Sequence, residues 1–341
     1  MSSTKKSSEI AKKLFTSLQL GGNTPNSKIQ LSHRVVMPPL TRSRAVVGHG
    51  ELHPELGPLY YSQRATEGGL LISEASQISK QGEGYPTTPG IYNKEHIESW
   101  SRVTKAVHDK GGIFFLQTWH VGRLREIVKQ FGQAARNAKL AGFDGVELHS
   151  ANGYLIDQFI QDGTNQRKDE YGGSISNRLR FLQEVVEESI KAFGGDSSKV
   201  SVRLSPETAI YEMSDSTPKE TWREAVKLLA QYDLAYLHLV EPQGAAHARV
   251  SAELKPHYNK KSPIVVNSGF NLESAEKILQ DGHADAVSFG RWFIANPDLV
   301  HRLKNNLPLN ELDYTTLYYS PNVSGGYTEY KTYEEVLKVQ Q

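Results

Sequence analysis

An α/β fold, a single (β/α)8 TIM barrel, is predicted by two observations on this 341-residue sequence: short β-rich runs alternate with helical patterns, and there are eight such runs. The alternation indicates βα units around a parallel sheet, and eight units are the number that closes into a barrel. In chain order the runs are RVVMPPL near 34, LLISEAS near 70, IFFLQTW near 113, DGVELHS near 144, VSVRLS near 200, AYLHLVE near 235, PIVVNSG near 263 and DAVSFGR near 285. A doubly wound open sheet is the alternative, but it requires a glycine fingerprint after its first strand, which MPPLTRSRA lacks. In such a barrel the functional site lies at the C-terminal ends of the strands.

The spacing of apolar residues predicts helices between the runs. From Arg178 to Phe193 one stripe of the helix carries Leu179, Leu182, Val186 and Ile190. A second helix is predicted over 272–279, because Asn271 can cap its first turn. Residues 1–11 are predicted to form a polar N-terminal tail, and no linker divides residues 12–341, which are predicted to be one domain.

Composition excludes several classes of function. With 39 basic and 38 acidic residues the formal charge is only +1, so no field favours a nucleic acid or an anionic membrane, and a small neutral partner is expected. The absence of cysteine excludes disulfides, thiolate metal sites and cysteine-ligated iron–sulfur clusters, and no metal site is predicted. The segment MSSTKKSSEIAKK has no apolar run after its lysines, and no later stretch could span a bilayer, so a cytoplasmic protein is expected.

The most informative motif is DGVELHSANGYLIDQF at residues 144–159, where a predicted strand runs into a turn that carries His149, Asn152 and Tyr154. A His and an Asn three positions apart face the same way, so both can bind one carbonyl oxygen and stabilise negative charge that develops on it. A neighbouring tyrosine can then give up a proton. Alternatively, the triplet is a capped helix start with a buried histidine.

Five further motifs accompany this stretch: MPPLTRSRA (37–45), FLQTWHVGR (115–123), NQRKDEYGGSISNRLRF (165–181), VRLSP (202–206) and VSFGRWFIANPDLVHRL (287–303). Together the six motifs resemble those of the old yellow enzyme family of FMN-dependent ene-reductases, which includes proteins like the 12-oxophytodienoate reductases. The similarity extends over nearly the whole chain.

The resemblance implies FMN as cofactor and NADPH as hydride donor, in a monomer or homodimer that acts on a small-molecule enone. NADPH would reduce FMN, and hydride would then pass to the β-carbon of an α,β-unsaturated carbonyl compound. His149 and Asn152 would bind the carbonyl oxygen, and Tyr154 would protonate the α-carbon. Two alternatives are a flavin-dependent reductase of nitro compounds or nitrate esters, and a flavin-binding protein with little ene-reductase activity.

Candidate cofactor and pocket residues follow the strands. Backbone N–H groups after the seventh and eighth runs can cradle a phosphate, with Arg291 as a bidentate partner, although the same glycines could merely turn strand into helix. The residues predicted there are Ser268, Gly269, Phe270, Gly290 and Arg291. For the flavin ring, the resemblance points to Pro39, Thr41, Ala75, Gln117 and Arg203, any of which could instead serve only structure. It also implies aromatic pocket walls from Tyr85, Trp119 and Tyr327, although large aromatic residues usually pack in a core.

One departure from the family concerns the segment after HVGR. There the family has a long excursion, typically with a hairpin over the active-site mouth. In this sequence Arg123 is followed almost directly by the predicted helix EIVKQFGQAARNAKLAG. A connection this short is ordinary for a barrel, so a closed barrel with a wider, wetter mouth is expected.

Overall fold

The computed structural model describes residues 13–22, 29–121, 127–208, 211–242, 249–258, 262–318, 320 and 322–339. The predicted tail, residues 1–11, lies outside the described residues, as do residues 122–126, which are the end of HVGR and the short connection after it.

Eight parallel strands form the barrel, one from each predicted run. They are β3 (Val35–Val36), β4 (Leu70–Ile72), β6 (Ile113–Trp119), β7 (Gly145–Ser150), β8 (Val200–Leu204), β9 (Leu237–Val240), β10 (Ile264–Asn267) and β11 (Ala286–Ser288). Their order in the sheet is β3-β11-β10-β9-β8-β7-β6-β4. A parallel bridge between Met37 and Leu71 joins the two ends of this order and closes the ring. The prediction of a (β/α)8 barrel is confirmed.

Three short strands lie outside the ring. Strands β1 (Leu18–Leu20) and β2 (Ile29–Leu31) pair as an antiparallel ribbon. The Gly21 N–H donates to the Ala235 carbonyl just before β9, so the ribbon lies at the N-terminal end of the barrel, away from the predicted site. Strand β5 (Ser76–Gln77) extends the pairing along β6.

Helices connect the strands and cover the outside of the barrel. Those described are α1 (Leu56–Arg64), α2 (Lys94–His108), α3 (Ile127–Leu140), α4 (Leu155–Ile160), α5 (Ile175–Ala192), α6 (Pro218–Leu229), α7 (Val250–Leu254), α8 (Leu272–Gln280), α9 (Gly290–Ala295), α10 (Leu299–Lys304) and α11 (Tyr333–Val339). Helix α5 begins three residues before the predicted start because Ser174 caps it through the Asn177 N–H. Helix α8 is capped by Asn271 as predicted, in a reciprocal bond with Ser274. None of the helices in the described part of the chain is long and apolar enough to cross a membrane.

The barrel interior changes character along its axis. Apolar side chains such as Val36, Phe115 and Val265 fill the end near the β1–β2 ribbon. Polar side chains occupy the interior further along the strands, where Gln117, Glu147, Arg203 and His238 are all buried. Burying charged groups is costly unless they are paired, so a barrel needs no such layer for packing alone. We therefore expect the ligand site at this end of the barrel.

Candidate active site

A cavity of about 370 Å³ opens at the C-terminal ends of the strands and brings most of the predicted site residues together. The predicted residues that line it are Pro39, Thr41, Ala75, Gln117, Trp119, His149, Asn152, Tyr154, Arg203 and Ser268. Two further cavities adjoin it. One of about 710 Å³ shares Asn267 and Ser268 with it and is lined by Gly269, Phe270, Gly290 and Arg291. The other, of about 960 Å³, shares Tyr154 and carries Tyr85.

The turn after β7 holds Asn152 in an unusual backbone conformation. Asn152 and Gly153 both have positive φ, 57° and 77°, which asparagine and glycine adopt at lower cost than other residues. The Asn152 N–H donates to Ser205 Oγ at 2.7 Å, and the Gly153 N–H donates to Asp157 Oδ2 at 2.9 Å. These bonds hold the turn so that the side chains of His149 and Asn152 line the same cavity.

His149 is a neutral hydrogen-bonding group at neutral pH. Burial, reinforced by the nearby Arg203 guanidinium, lowers the pKa of His149 to about 3. Its Nδ1 atom is buried and has no hydrogen-bond partner among the described residues. Since unpaired buried polar atoms are uncommon, this ring is available to a ligand in the cavity.

Tyr154 lies where α4 begins and is surrounded by aromatic rings. Its hydroxyl is 3.5 Å from the Tyr85 hydroxyl, and its ring packs edge-on against Trp119 with the centroids 5.1 Å apart. Burial, together with the Tyr85 and Tyr211 hydroxyls, raises the pKa of Tyr154. The phenol keeps its proton at neutral pH, as an ordinary tyrosine also does, and it can give that proton only to a stronger base.

Arg203 and Gln117 reach the cavity from the buried polar layer. One Arg203 nitrogen, Nη2, donates to Asn267 Oδ1 at 3.0 Å, and Gln117 Nε2 donates to Glu147 Oε1 at 2.8 Å. Both side chains are held in place and still line the cavity. An arginine there can stabilise negative charge on a planar ring, and a glutamine can pair with an amide-like ring edge.

The neighbouring cavity has the features of an anion site. Ser268 and Gly269 have φ values of 94° and 71°. Apart from its chain neighbours, no described residue has a heavy atom within 4 Å of the position that a Cβ on Gly269 would take. Backbone N–H groups in such a conformation can form a concave anion-binding surface. Two arginines line it, the predicted Arg291 and also Arg249, whose guanidinium lies 4.5 Å from the centre of the Phe270 ring.

Taken together, the cavities fit FMN. A polar layer that can bind the ring edge adjoins a basic cavity that can bind a phosphate, with Ser268 on the border of both. Buried His149 Nδ1 and Trp119 Nε1 have no partner among the described residues, so the part of the site beside them offers polar groups to ligands.

Tyr327 is the predicted pocket residue that the structure places elsewhere. It is fully buried and stacks on Tyr60 with the ring centroids 4.1 Å apart, and the Arg42 guanidinium lies 5.3 Å from its centroid. It therefore lines none of the three cavities. Its partners come from α1 and the loop after β3 and pack it inward, so the structure does not bring Tyr327 together with the other predicted pocket residues, and its role in a pocket wall stays a prediction.

Trp119, in contrast, lines the first cavity although it is only 2% exposed, so this side chain packs in the core and also reaches the cavity.

Several lining residues were not predicted, and six of them have the chemistry to contact a ligand or lie closest to the predicted site. They are Thr208, Tyr211, Val240, Glu241, Arg249 and Asn267. Three of these have a signal that could have found them, because Val240 and Glu241 end the sixth β-rich run and Asn267 is in the seventh. Thr208, Tyr211 and Arg249 lie in loops, where the sequence carries no comparable signal.

Comparison with known proteins gives a consistent result. The NADH:flavin oxidoreductase / NADH oxidase family model, Oxidored_FMN, matches residues 13–126 and 123–310. The two matched parts meet at the loop after β6, where the sequence has its short connection.

Two curated relatives are similar over most of their length. The chain is 39% identical to 12-oxophytodienoate reductase 2 of Arabidopsis thaliana over 356 residues, covering 90% of this chain and 94% of that protein. It is also 39% identical to 12-oxophytodienoate reductase 1 of Oryza sativa subsp. japonica over 354 residues, covering 91% and 92%.

Solved structures agree with these relatives. The old yellow enzyme homologue from Zymomonas mobilis superposes with a TM-score of 0.86 at 36% identity, covering 94% of this chain and 99% of that one. Morphinone reductase in complex with tetrahydroNAD gives a TM-score of 0.83 at 36% identity, covering 94% and 97%. The chain therefore belongs to the NADH:flavin oxidoreductase / NADH oxidase family, with old yellow enzyme homologues among its relatives, and is an FMN-dependent oxidoreductase.

Proposed function

We propose that the chain reduces the C=C bond of α,β-unsaturated carbonyl compounds, and that His149, Asn152 and Tyr154 do the chemistry that the protein contributes. The observation that carries this proposal is the turn after β7. It brings two hydrogen-bond donors and one protonated phenol to a single cavity at the C-terminal end of the barrel.

FMN, when bound, supplies the hydride, which it takes from a reduced nicotinamide. His149 and Asn152 bind the carbonyl oxygen of the substrate and stabilise the negative charge that grows on it. One such donor typically contributes about 2.7 to 4 kcal/mol to transition-state stability. Tyr154, whose raised pKa keeps it protonated, delivers the proton to the α-carbon.

The same proposal assigns the cofactor residues. Pro39, Thr41, Ala75, Gln117 and Arg203 hold the ring, and Ser268, Gly269, Phe270, Gly290 and Arg291 hold the phosphate. Tyr85 and Trp119 form the aromatic wall beside Tyr154. These assignments are supported by the position of each residue, since each lines one of the three adjoining cavities.

The hydride donor and the substrate class are inferred from similar proteins. Morphinone reductase has been solved with tetrahydroNAD, and the curated relatives are named for reduction of 12-oxophytodienoate. We infer NADPH as the donor and a small enone as the substrate of this chain. No observation favours nitro or nitrate-ester reduction, or a flavin protein without reductase activity. A cytoplasmic location and a monomeric or homodimeric state stay predictions.

An anaerobic spectrum tests the proposal. The flavin band of the purified protein is expected to bleach with NADPH and to return when cyclohexenone is added. To isolate the second step, the flavin is reduced with dithionite and cyclohexenone is then added to the H149A/N152A variant. Return of the band should be abolished in this variant.

A matched control is available at the C-terminal end of α10, where His301 and the capping residue Asn305 form an exposed pair outside the three cavities. The variant H301A/N305A should behave like the parent. Recovery of the flavin band in H149A/N152A at the parent rate would contradict the proposed roles.

A further inference from the structure

Glu147 is a buried carboxylate that the proposed chemistry does not use. It lies in β7, two residues before His149, and is 0% exposed. Three side chains direct hydrogen bonds at it: Gln117 Nε2 at 2.8 Å, His238 Nδ1 at 2.9 Å and the Tyr236 hydroxyl at 3.1 Å. A carboxylate isolated from water is costly unless donors satisfy its oxygens. These donors satisfy both oxygens, and Glu147 in turn constrains each donor.

Gln117 is the first side chain that Glu147 constrains. An ionised carboxylate can only accept hydrogen bonds, so the amide nitrogen of Gln117 must face Glu147 and its oxygen cannot. The pKa of Glu147 is lowered despite the opposing effect of burial, because His238 and Arg203 favour the charged form. Gln117 lines the cavity, and with its nitrogen anchored its Oε1 is left to accept from a ligand there.

His238 is the second side chain that Glu147 constrains, and through His238 the carboxylate also positions Arg203. Since Glu147 only accepts, His238 must carry its proton on Nδ1, which leaves Nε2 as an acceptor. Arg203 Nη1 lies 2.8 Å from Nε2 and 3.0 Å from Nδ1, and because Nδ1 carries the proton, Arg203 donates to Nε2. The Ser288 hydroxyl, 3.1 Å from Nε2, donates to the Val266 carbonyl. Burial and the Arg203 charge lower the pKa of His238 to about 4, so the ring is neutral at pH 7.

We propose that Glu147 is a positioning residue for the flavin ring, which orients Gln117 directly and Arg203 through His238. The inference rests on the proposed assignment of Gln117 and Arg203 to the ring. The Glu147 carboxylate then determines which way Gln117 Oε1 points, which nitrogen of His238 carries the proton, and where the Arg203 guanidinium lies. Its charge also balances that of Arg203 in the barrel interior.

The substitution Glu147→Gln tests this with little change in shape. A glutamine offers one acceptor where the carboxylate offers two, so at least one of the three donors loses its partner and Gln117 is no longer bound to one orientation. Apoprotein is titrated with FMN and, separately, with riboflavin, and binding is followed by quenching of flavin fluorescence. The Kd is expected to rise about tenfold or more for both ligands alike, because the effect acts on the ring and not on the phosphate.

Two controls separate positioning from a general cost of altering a buried group. Glu276 is a buried carboxylate that accepts from the Lys13 and Leu14 N–H groups and lines none of the three cavities, so E276Q should leave both Kd values unchanged. Tyr236→Phe removes one donor to Glu147 without touching Gln117 or Arg203, so it should weaken binding less than E147Q does.

The decisive readout is the coupling between positions. In a Q117A background the E147Q penalty on flavin affinity should shrink at least threefold, since one of its two routes to the ring is gone. A purely structural role predicts a lower melting temperature and an unchanged penalty. A Kd for E147Q within twofold of the parent, or a penalty undiminished by Q117A, would overturn the inference. Both tests read binding alone, so they stand apart from any failure of enone reduction.

Discussion

Replacing Ser205 by alanine is expected to slow enone reduction without loosening FMN, because this hydroxyl supports the turn that carries Asn152. Ser205 is fully buried just after β8, accepts the Asn152 N–H at 2.7 Å and donates to Asp157 Oδ2 at 3.3 Å. It lines none of the three cavities. Its influence on the reaction therefore passes through the turn.

The magnitude follows from the bonds that are lost. A neutral hydrogen bond contributes about 1 kcal/mol net, and a donor left buried without a partner costs about 1 to 3 kcal/mol. Asn152 is half-buried, so the lower part of this range applies, and its left-handed backbone no longer has a bond to hold it. A loss of about 1 to 2 kcal/mol corresponds to a fall of roughly 5- to 30-fold in kcat/KM.

The assay is kcat/KM for cyclohexenone, with the FMN Kd measured on the same samples. Ser201 provides the matched control, because it lies in β8 four residues before Ser205, is equally buried and donates to the Val146 carbonyl at 3.0 Å. S201A should lower the melting temperature by a similar few degrees and leave kcat/KM within twofold of the parent. If S205A and S201A have the same kcat/KM, the turn does not depend on Ser205 and the reasoning is refuted.

Four further predictions follow from the same geometry. Y154F should slow reoxidation of dithionite-reduced flavin by cyclohexenone about a hundredfold or more while NADPH still bleaches the band, and an unchanged rate would exclude Tyr154 as the acid. R249A should weaken FMN binding about tenfold but not riboflavin binding, since riboflavin lacks the phosphate; equal losses would place Arg249 elsewhere. Burial lowers the pKa of His33 to about 4, so this neutral ring stabilises the fold above pH 6.5 by about 3 kcal/mol, and the contribution is lost as pH falls towards 4. The melting temperature of H33Q should then fall less between pH 7 and pH 4 than that of the parent. Finally, Tyr211 is 68% exposed at the mouth and the connection after β6 is short, so NADPH consumption in air should exceed that of relatives with the long excursion. A rate no faster than theirs counts against an open mouth.

The barrel could be predicted because its strands are short runs rich in β-branched and aromatic residues that alternate with helical patterns. Each of the eight runs contains one strand of the ring. The boundaries were less predictable. The run RVVMPPL forms a strand only over Val35–Val36, since Pro38 and Pro39 have no N–H to donate to a neighbouring strand.

In the site, contacts between residues close in sequence could be predicted, and contacts between residues far apart in sequence could not. His149, Asn152 and Tyr154 lie within six positions of one another, so a motif was sufficient to predict that they meet. Glu147 lies in the same motif, yet its partners Gln117 and His238 are 30 and 91 residues away. Tyr327 and its stacking partner Tyr60 are separated by an even longer stretch of sequence. A residue type at a strand end indicates that a side chain can reach a ligand. Which way that side chain points is decided by acceptors and donors that only the closed barrel brings together. For this reason the orientation of Gln117 and the burial of Tyr327 are properties of the fold, although the residues themselves were visible in the sequence.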